Sequence, residues 1–191
     1  MSRIAPLHQP YAPDIQQQFD RIMRGAPPLL LFRVMAGHTR AWDRFRAGSL
    51  LDPGPLPLRE REIVIDRTCA LNRCEYEWGV HVAIFAAAAQ LSDAQVRATV
   101  LGDADAPCWS EAEQALIAAV DALHYRATLS NAEFASLSAH YSDDQILEII
   151  LLCGFYRTVS YLANGLALPL EEKAARFPAT PPQPAANRAG E

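Results

Sequence analysis

The hydrophobic and polar positions along this chain show no period-two alternation flanked by hairpin turns, which disfavours β-strands. The sequence instead carries signals for the starts of helices. In four places a serine precedes a Glu or Gln by three residues, the spacing at which the two side chains cap the first helical turn. The four pairs are Ser92 with Gln95, Ser110 with Glu113, Ser130 with Glu133, and Ser142 with Gln145. The pattern predicts an all-α fold of about eight helices.

The predicted helices form one domain over residues 14–177, flanked by two segments rich in proline. Their expected ranges are 14–24, 27–45, 58–71, 74–90, 94–101, 111–126, 132–140 and 144–163. A rigid turn, Asp52-Pro-Gly-Pro-Leu-Pro, precedes the third helix. Residues 1–13 contain three prolines and residues 178–191 are rich in Pro and Ala, so both are expected to be mobile.

Composition limits the classes of partner. Half of the 191 residues are hydrophobic, which is enough for a packed core, and the net charge of −5 gives no basic footprint for nucleic acid. The start has no secretory pattern, and the longest purely apolar runs fall far short of the roughly 20 residues that a membrane span requires. We therefore expect a cytoplasmic protein with no nucleic-acid or membrane partner. The four cysteines form no Cys-x-x-Cys pair and are expected to be free thiols.

One predicted helix carries, on one face, three side chains capable of acid–base or nucleophilic chemistry. Cys74, Glu77 and His81 stand at positions i, i+3 and i+7. The same face continues into three residues that should be buried, namely Ile84, Phe85 and Ala88. An ionised carboxylate in an apolar interior must be paired or protonated. A Glu and a His within reach of each other meet that demand and make a proton-transfer pair, although a purely structural polar network remains an equal alternative.

The preceding helix opens with the charged run Arg59-Glu60-Arg61-Glu62. Glu60 and Glu62 cannot share a helix face. Either one of them points inward at the second helix, or the whole first turn is solvated with its carboxylates near the positive helix end. The run alone leaves both interpretations open.

These two stretches resemble the carboxymuconolactone decarboxylase family, which includes the alkyl hydroperoxidase D proteins. The similar segments are Leu58-Arg-Glu-Arg-Glu-Ile-Val-Ile and Asn72-Arg-Cys-Glu-Tyr-Glu-Trp-Gly-Val-His, within about residues 40–125. Residues 154–164 are similar to the long form of the family. The resemblance implies the alkyl hydroperoxidase D-like helical fold and a homo-oligomer, either a trimer or a hexamer.

The hydroperoxidase branch has a Cys-x-x-Cys-x-x-x-His helix and a proton-relay Glu twelve positions before the first Cys. In this chain the first Cys of that motif corresponds to Cys74, its His to His81 and the relay Glu to Glu62. The second Cys, which is the reactive one in that branch, corresponds to Glu77. The internal disulfide of that branch therefore cannot form. Because Glu75 and Glu77 would raise the pKa of the Cys74 thiol, a dithiol peroxidase is disfavoured.

The decarboxylase and lactonase-like members imply acid–base chemistry. Glu77 and His81 would be the acid and base, and Glu62 would orient them or relay protons. A small organic acid would need a cation, supplied by Arg59, Arg61 or Arg73, and hydroxyls that could donate into the site, Tyr76 and Tyr156. His, Cys and Glu can bind zinc, but no His-Glu-x-x-His or paired-Cys pattern occurs, so we expect no metal.

Three hypotheses follow from the sequence. The first is a cofactor-free enzyme of the carboxymuconolactone decarboxylase type, which transfers protons on a small organic acid or lactone. The second is a peroxidase-like antioxidant that uses Cys74. The third is a non-catalytic binding or assembly protein with a vestigial pocket.

Overall fold

Nine α-helices make up the part of the chain that this computed structural model describes, residues 2–179, and no strand occurs there. The all-α prediction is confirmed. The helices are α1 (Pro13–Met23), α2 (Leu30–Met35), α3 (Thr39–Ala47), α4 (Leu58–Leu71), α5 (Glu75–Phe85), α6 (Asp93–Leu101), α7 (Glu111–Arg126), α8 (Asn131–Ser138) and α9 (Asp143–Gly165).

The ninth helix arises because the predicted helix 27–45 is two short ones. The break lies at Gly37 and His38, where His38 has φ −133° and ψ 88°, outside the helical region. The break turns α3 so that Trp42 is buried against Phe19 and stacks with Phe45. A single straight helix has one apolar face, whereas two shorter helices can each direct a separate apolar face toward the core.

All four predicted capping boxes are present, at the starts of α6, α7, α8 and α9. In each, the serine hydroxyl accepts from the backbone N–H three residues on, and the Glu or Gln side chain accepts from the serine's own N–H. These contacts satisfy amide groups that would otherwise lack a partner in the first turn. Local sequence therefore determines where the second half of the chain begins each helix.

Helix α4 lies at the centre and packs against α5, α6, α7 and α9. Every side chain from Glu62 to Cys69 is buried, including four that are polar or charged. Buried charges need partners. Arg67 finds one in Asp121 of α7, with two N–H···O contacts of 2.7 and 2.8 Å, and it also donates to the carbonyls of Thr99 and Gly102.

Helix α9 supplies much of the remaining core. It has 23 residues, and the mean hydropathy of its most apolar stretch is 1.5. By length and composition alone, such a helix would suffice to cross a membrane. The core helix of a globular fold meets the same criterion, and 44% of that stretch is buried here. Ile149, Leu152 and Val159 are fully covered, whereas Leu151 and Tyr161 on the other face are exposed.

The N-terminal segment, predicted to be mobile over residues 1–13, is held against the domain over residues 2–12. The N–H of Arg3 donates to the carbonyl of Leu166 at 2.8 Å, and the N–H of Leu7 donates to that of Arg33 at 3.0 Å. Backbone hydrogen bonds thus anchor a segment whose prolines suggested mobility. The predicted tail, 178–191, lies outside the described residues except for positions 178 and 179.

A C-terminal strap, residues 171–178, crosses the outer side of α5. The carboxylate of Glu171 accepts from the Tyr76 hydroxyl at 2.6 Å. The N–H of Ala175 donates to the carbonyl of Gly79 at 2.9 Å, and Phe177 packs edge-on against Trp78. The strap fixes the N-terminal half of α5 from outside, while α4 and α9 hold its inner face.

We predict that Gly79→Ala destabilises the fold although alanine is the better helix former. A Cβ at this position would collide with the backbone carbonyl of Ala175, so the strap would have to move. The expected loss is about 1–3 kcal/mol in the free energy of unfolding, measured by urea denaturation. Gly165→Ala is the matched control, because a Cβ there meets nothing within 4 Å. Equal stability of the two variants would contradict the role of the strap.

Candidate active site

Three helices each contribute two polar side chains, one turn apart, to a buried cluster. Helix α4 supplies Glu62 and Asp66, α5 supplies Glu77 and His81, and α9 supplies Tyr156 and Ser160. Residues four positions apart lie on one helix face, so each pair faces the other two helices. All six side chains are buried. We call these six residues the acid–base cluster.

His81 lies at its centre, with a carboxylate at each ring nitrogen. Its Nδ1 is 2.7 Å from Oε2 of Glu62, and its Nε2 is 3.5 Å from Oε1 of Glu77. The ring of Tyr156 stands perpendicular to the imidazole, with centroids 5.0 Å apart. Burial alone would lower the pKa of His81, but the hydrogen bonds and charges of Glu62 and Glu77 outweigh it and raise the pKa to about 10. The ring is therefore an imidazolium at neutral pH.

The carboxylate of Glu62 connects this imidazolium to a cation. Its Oε1 accepts from Nε of Arg61 at 3.0 Å, and the Arg61 guanidinium lies over the ring of Phe85. Charges thus alternate along Arg61, Glu62, His81 and Glu77. Within residues 2–179, Oε2 of Glu77 has no hydrogen-bond partner although it is buried. The series therefore ends in a free carboxylate oxygen, which can accept a proton from a bound molecule.

Asp66 was not identified from the sequence. It is 1% exposed, and neither of its carboxyl oxygens has a hydrogen-bond partner within residues 2–179. Burial raises its pKa well above the usual value, and the charge of Glu62 adds to that effect against the opposing charge of His81. Both effects favour the protonated form of Asp66. Its spacing of four from Glu62 was the available signal, but it follows the apolar run Ile63-Val-Ile and does not stand out.

Cys74 is the N-cap residue of α5 rather than part of the helix. Burial raises the pKa of its thiol and so does the charge of Glu77, while the backbone N–H groups of Glu77 and Tyr76 and the hydroxyl of Ser160 lower it; the net change is upward. The effect of Glu77 agrees with the sequence expectation. All four cysteines are free thiols. A thiol held protonated is a weak nucleophile.

Of the five predicted substrate-binding residues, the structure brings Arg61 and Tyr156 to the cluster. Arg59 instead pairs with Glu113 at 2.7 Å and donates to two carbonyls after α5. The Tyr76 hydroxyl is engaged by Glu171 of the strap and by the N–H of Leu31. Arg73 is exposed in a left-handed turn with φ 53°. These three residues do not contribute to the cluster, because other groups hold them or because they face outward.

Two further expectations are resolved by the packing of α4 and α5. Glu62 is the glutamate that points inward, while Glu60 is only half-buried. The expectation that the active face of α5 stays buried beyond His81 is wrong. Ile84 is 53% exposed and Ala88 is exposed, since the helix ends at Phe85 and no described element covers that side.

No three His, Cys, Asp or Glu side chains within residues 2–179 are placed to share a metal ion. The groups that the cluster offers are the imidazolium of His81, the carboxylates of Glu62 and Glu77, the carboxyl of Asp66 with its raised pKa, and two hydroxyls. An imidazolium beside a free carboxylate oxygen can give a proton at one atom and take one at another.

Residues 36–121 of the chain match the model of the carboxymuconolactone decarboxylase family. That segment includes Glu62, Asp66, Cys74, Glu77 and His81. It ends before α9, so the contributions of Tyr156 and Ser160 lie outside the matched part. No curated protein matches the sequence significantly.

Solved structures share the fold. An uncharacterized peroxidase-related protein from Silicibacter sp. TM1040 is 18% identical with a TM-score of 0.78, covering 93% of this chain and 96% of that one. A second such protein, from Ralstonia eutropha JMP134 and described as an alkylhydroperoxidase AhpD core, is 19% identical with the same TM-score, covering 90% and 93%. The debrominase Bmp8 is 16% identical with a TM-score of 0.72, covering 89% and 92%. At these identities the likeness shows the alkyl hydroperoxidase D-like fold.

We predict that stability falls as pH rises from about 6.5 to 10. The folded-state pKa of His81, about 10, lies above the unfolded value of 6.5. Its stabilising contribution is therefore complete below pH 6.5 and is lost as pH rises through 10. Urea denaturation at pH 6, 8 and 10 measures this loss. Glu62→Gln keeps the side-chain shape but removes the charge at Nδ1, so its pH dependence should be shallower; identical slopes for both proteins would contradict the assignment.

Proposed function

We propose that this chain is a cofactor-free enzyme that transfers protons on a small organic acid or lactone, through decarboxylation or lactone chemistry. The main support is the position of His81, buried between two carboxylates, one of which keeps a free oxygen. The match of residues 36–121 to the carboxymuconolactone decarboxylase family model also supports an enzyme of this type.

The two protons of the imidazolium have different roles in this proposal. The Nδ1 proton is bound in the short 2.7 Å contact with Glu62. The Nε2 proton faces Glu77 across 3.5 Å, a weaker contact that a substrate atom could replace. In a decarboxylation, the bond to the leaving CO₂ breaks and the remaining electron pair takes the Nε2 proton. Glu62 is then a positioning residue, and Glu77 accepts a proton from the substrate or returns one to His81.

Arg61 is the cation best placed to hold an anionic substrate. Its side chain is 12% exposed, more than those of Glu62 and His81, and its guanidinium lies over Phe85 at the edge of the cluster. Its Nε and Nη2 face Oε1 of Glu62 and its Nη1 donates to the carbonyl of Leu51 at 3.2 Å, so a substrate carboxylate would take the remaining N–H donors. The raised pKa of Asp66 favours this role, because a third buried negative charge would repel the substrate. We infer that the substrate enters beside Arg61 and Phe85.

The cluster is nearly closed in the single chain, with His81 3% and Glu77 7% exposed. Entry therefore needs local opening at its edge. The same enclosure would suit the alternative, a non-catalytic binding or assembly protein with a vestigial pocket. We also propose that the chain forms a homo-oligomer, a trimer or hexamer. Apolar side chains exposed on α5 and α9 support this, namely Ile84, Leu147, Leu151 and Tyr161.

A thiol-dependent reaction of Cys74 is the second candidate. The observation in its favour is the place of Cys74 at the start of α5, where two backbone N–H groups lower the pKa of its thiol. A cysteine-to-alanine variant of the debrominase Bmp8 has also been solved with 2,3,4-tribromopyrrole. Burial and Glu77 act against this candidate, because both raise the pKa of the Cys74 thiol.

A variant series separates the two candidates, using a screen of carboxylated lactones and unsaturated lactone acids. We predict that Glu77→Gln and His81→Ala lower turnover by about 10²-fold or more, as expected for lost proton-transfer groups. Cys74→Ser should keep most activity, and serine is itself a favoured N-cap residue. Glu75→Gln is the matched control, since Glu75 only accepts from the N–H of Phe177 and glutamine can do the same.

A parallel assay follows reduction of an organic hydroperoxide by dithiothreitol. Hydroperoxide turnover that disappears in Cys74→Ser, with no activity on any lactone or acid, would establish the thiol candidate instead. Circular dichroism of each variant checks that the fold survives, because removal of His81 leaves the buried Glu62 with Arg61 as its remaining partner. A wild-type protein inactive in both assays would favour the non-catalytic alternative.

A further inference from the structure

A cavity lies between α4, α7 and α9 and includes no residue of the acid–base cluster. Its volume is about 230 Å³. The lining residues are Thr68, Asn72, Val120, Leu123, His124, Ala127, Ile150, Cys153, Gly154 and Arg157. Thr68 and Cys153 belong to the same helices as Asp66 and Tyr156 but line this cavity instead of the cluster.

Two polar atoms at this cavity lack a partner. The Thr68 hydroxyl and Nδ1 of His124 are buried, and neither has a hydrogen-bond partner of standard geometry within residues 2–179. The only polar group beside the Thr68 hydroxyl in the described residues of the cavity wall is the Cys153 thiol, a weak partner, whose pKa the hydroxyl lowers against the larger effect of burial. Thr68 is only 3% exposed, so bulk water does not compensate for the missing contact. Buried polar groups are almost always hydrogen-bonded, and an exception needs an explanation. A bound molecule that places a hydrogen-bond acceptor near the Thr68 hydroxyl would explain the missing contact.

The charge at the cavity is a single uncompensated cation. Arg157 donates to the Tyr161 hydroxyl and to the carbonyl of His124, and no carboxylate of residues 2–179 lies within ion-pair distance of it. The nearby Asp121 is already bound by Arg67 through both oxygens. Burial lowers the pKa of His124 and Arg157 lowers it further, so the imidazole stays neutral. The balance favours one negative charge in a ligand.

The rest of the lining is apolar, with Val120, Leu123 and Ile150 as its larger side chains. At Gly154 an added Cβ would meet nothing within 4 Å, so the wall is open there. A dry cavity of about 150 Å³ can hold benzene, and drug-sized ligands occupy about 300–1,000 Å³. The volume here fits a compact apolar body of about one ring with a small polar group.

We propose that this cavity binds a small monocarboxylate with a compact apolar body. The carboxylate pairs with Arg157 and accepts from the Thr68 hydroxyl, while the apolar body packs against Val120, Leu123 and Ile150. This inference does not rest on the proton-transfer function, since the cavity and the cluster share no residue.

Benzoate is the probe, titrated into the full chain and followed by calorimetry and by NMR shifts. We expect saturable binding that is at least tenfold weaker for benzamide, which has the same shape without the charge. Arg157→Gln should weaken benzoate binding by about tenfold or more, the usual effect of losing a charged hydrogen bond. Gly154→Leu should abolish binding because its side chain fills the cavity.

Gly165→Leu is the matched control, because Gly165 also has open space around it but does not line the cavity. Should Gly154→Leu fail to fold, Thr68→Val serves instead, since it removes the unpartnered hydroxyl and keeps the side-chain shape. It should weaken benzoate binding severalfold without loss of thermal stability. Absence of benzoate binding by the wild type, or binding unchanged in Gly154→Leu or Thr68→Val, would overturn the proposal.

Discussion

The contact between Glu62 and His81 constrains the packing around it. A 2.7 Å contact between two buried groups is stable only while both partners are present. Removing one partner of a buried ion pair costs about 3–5 kcal/mol where the other charge is left alone; here Glu62 would keep Arg61 and His81 would keep Glu77, so the cost is smaller. Helices α4 and α5 must therefore pack in the register that joins these two side chains. The strap on the outer side of α5 and α9 on its inner side hold that register.

Helix α4 shows two solutions to the burial of charge. It is surrounded by four helices, so its polar side chains cannot reach bulk water. Arg67 and Glu62 have close partners of opposite charge in Asp121 and His81. Asp66 has no hydrogen-bond partner within residues 2–179, and burial raises its pKa well above the usual value. The neighbouring helices thus supply an ion-pair partner to some buried groups of α4, while the raised pKa of Asp66 favours less negative charge beside His81.

Features set by neighbouring residues could be predicted from the sequence, and those set by distant partners could not. The capping boxes and the pairing of Glu77 with His81 depend on spacings of three and four. Arg59 and Tyr76 were assigned to the site because of their chemistry, but their partners are 54 and 95 residues away along the chain. The exposure of Ile84 was missed for a related reason, since a helical pattern shows that a face is apolar but not what covers it.

The identity of residue 77 links the two candidate chemistries physically. A carboxylate there raises the pKa of His81 and the pKa of the Cys74 thiol at once. It therefore favours the protonated form of both groups, which favours proton donation and disfavours thiolate attack. An uncharged side chain would weaken both effects without reversing them, since His81 would keep Glu62 and burial would still raise the pKa of the Cys74 thiol. With the backbone unchanged, the charge at this one position thus shifts the balance between the two reactions toward proton transfer.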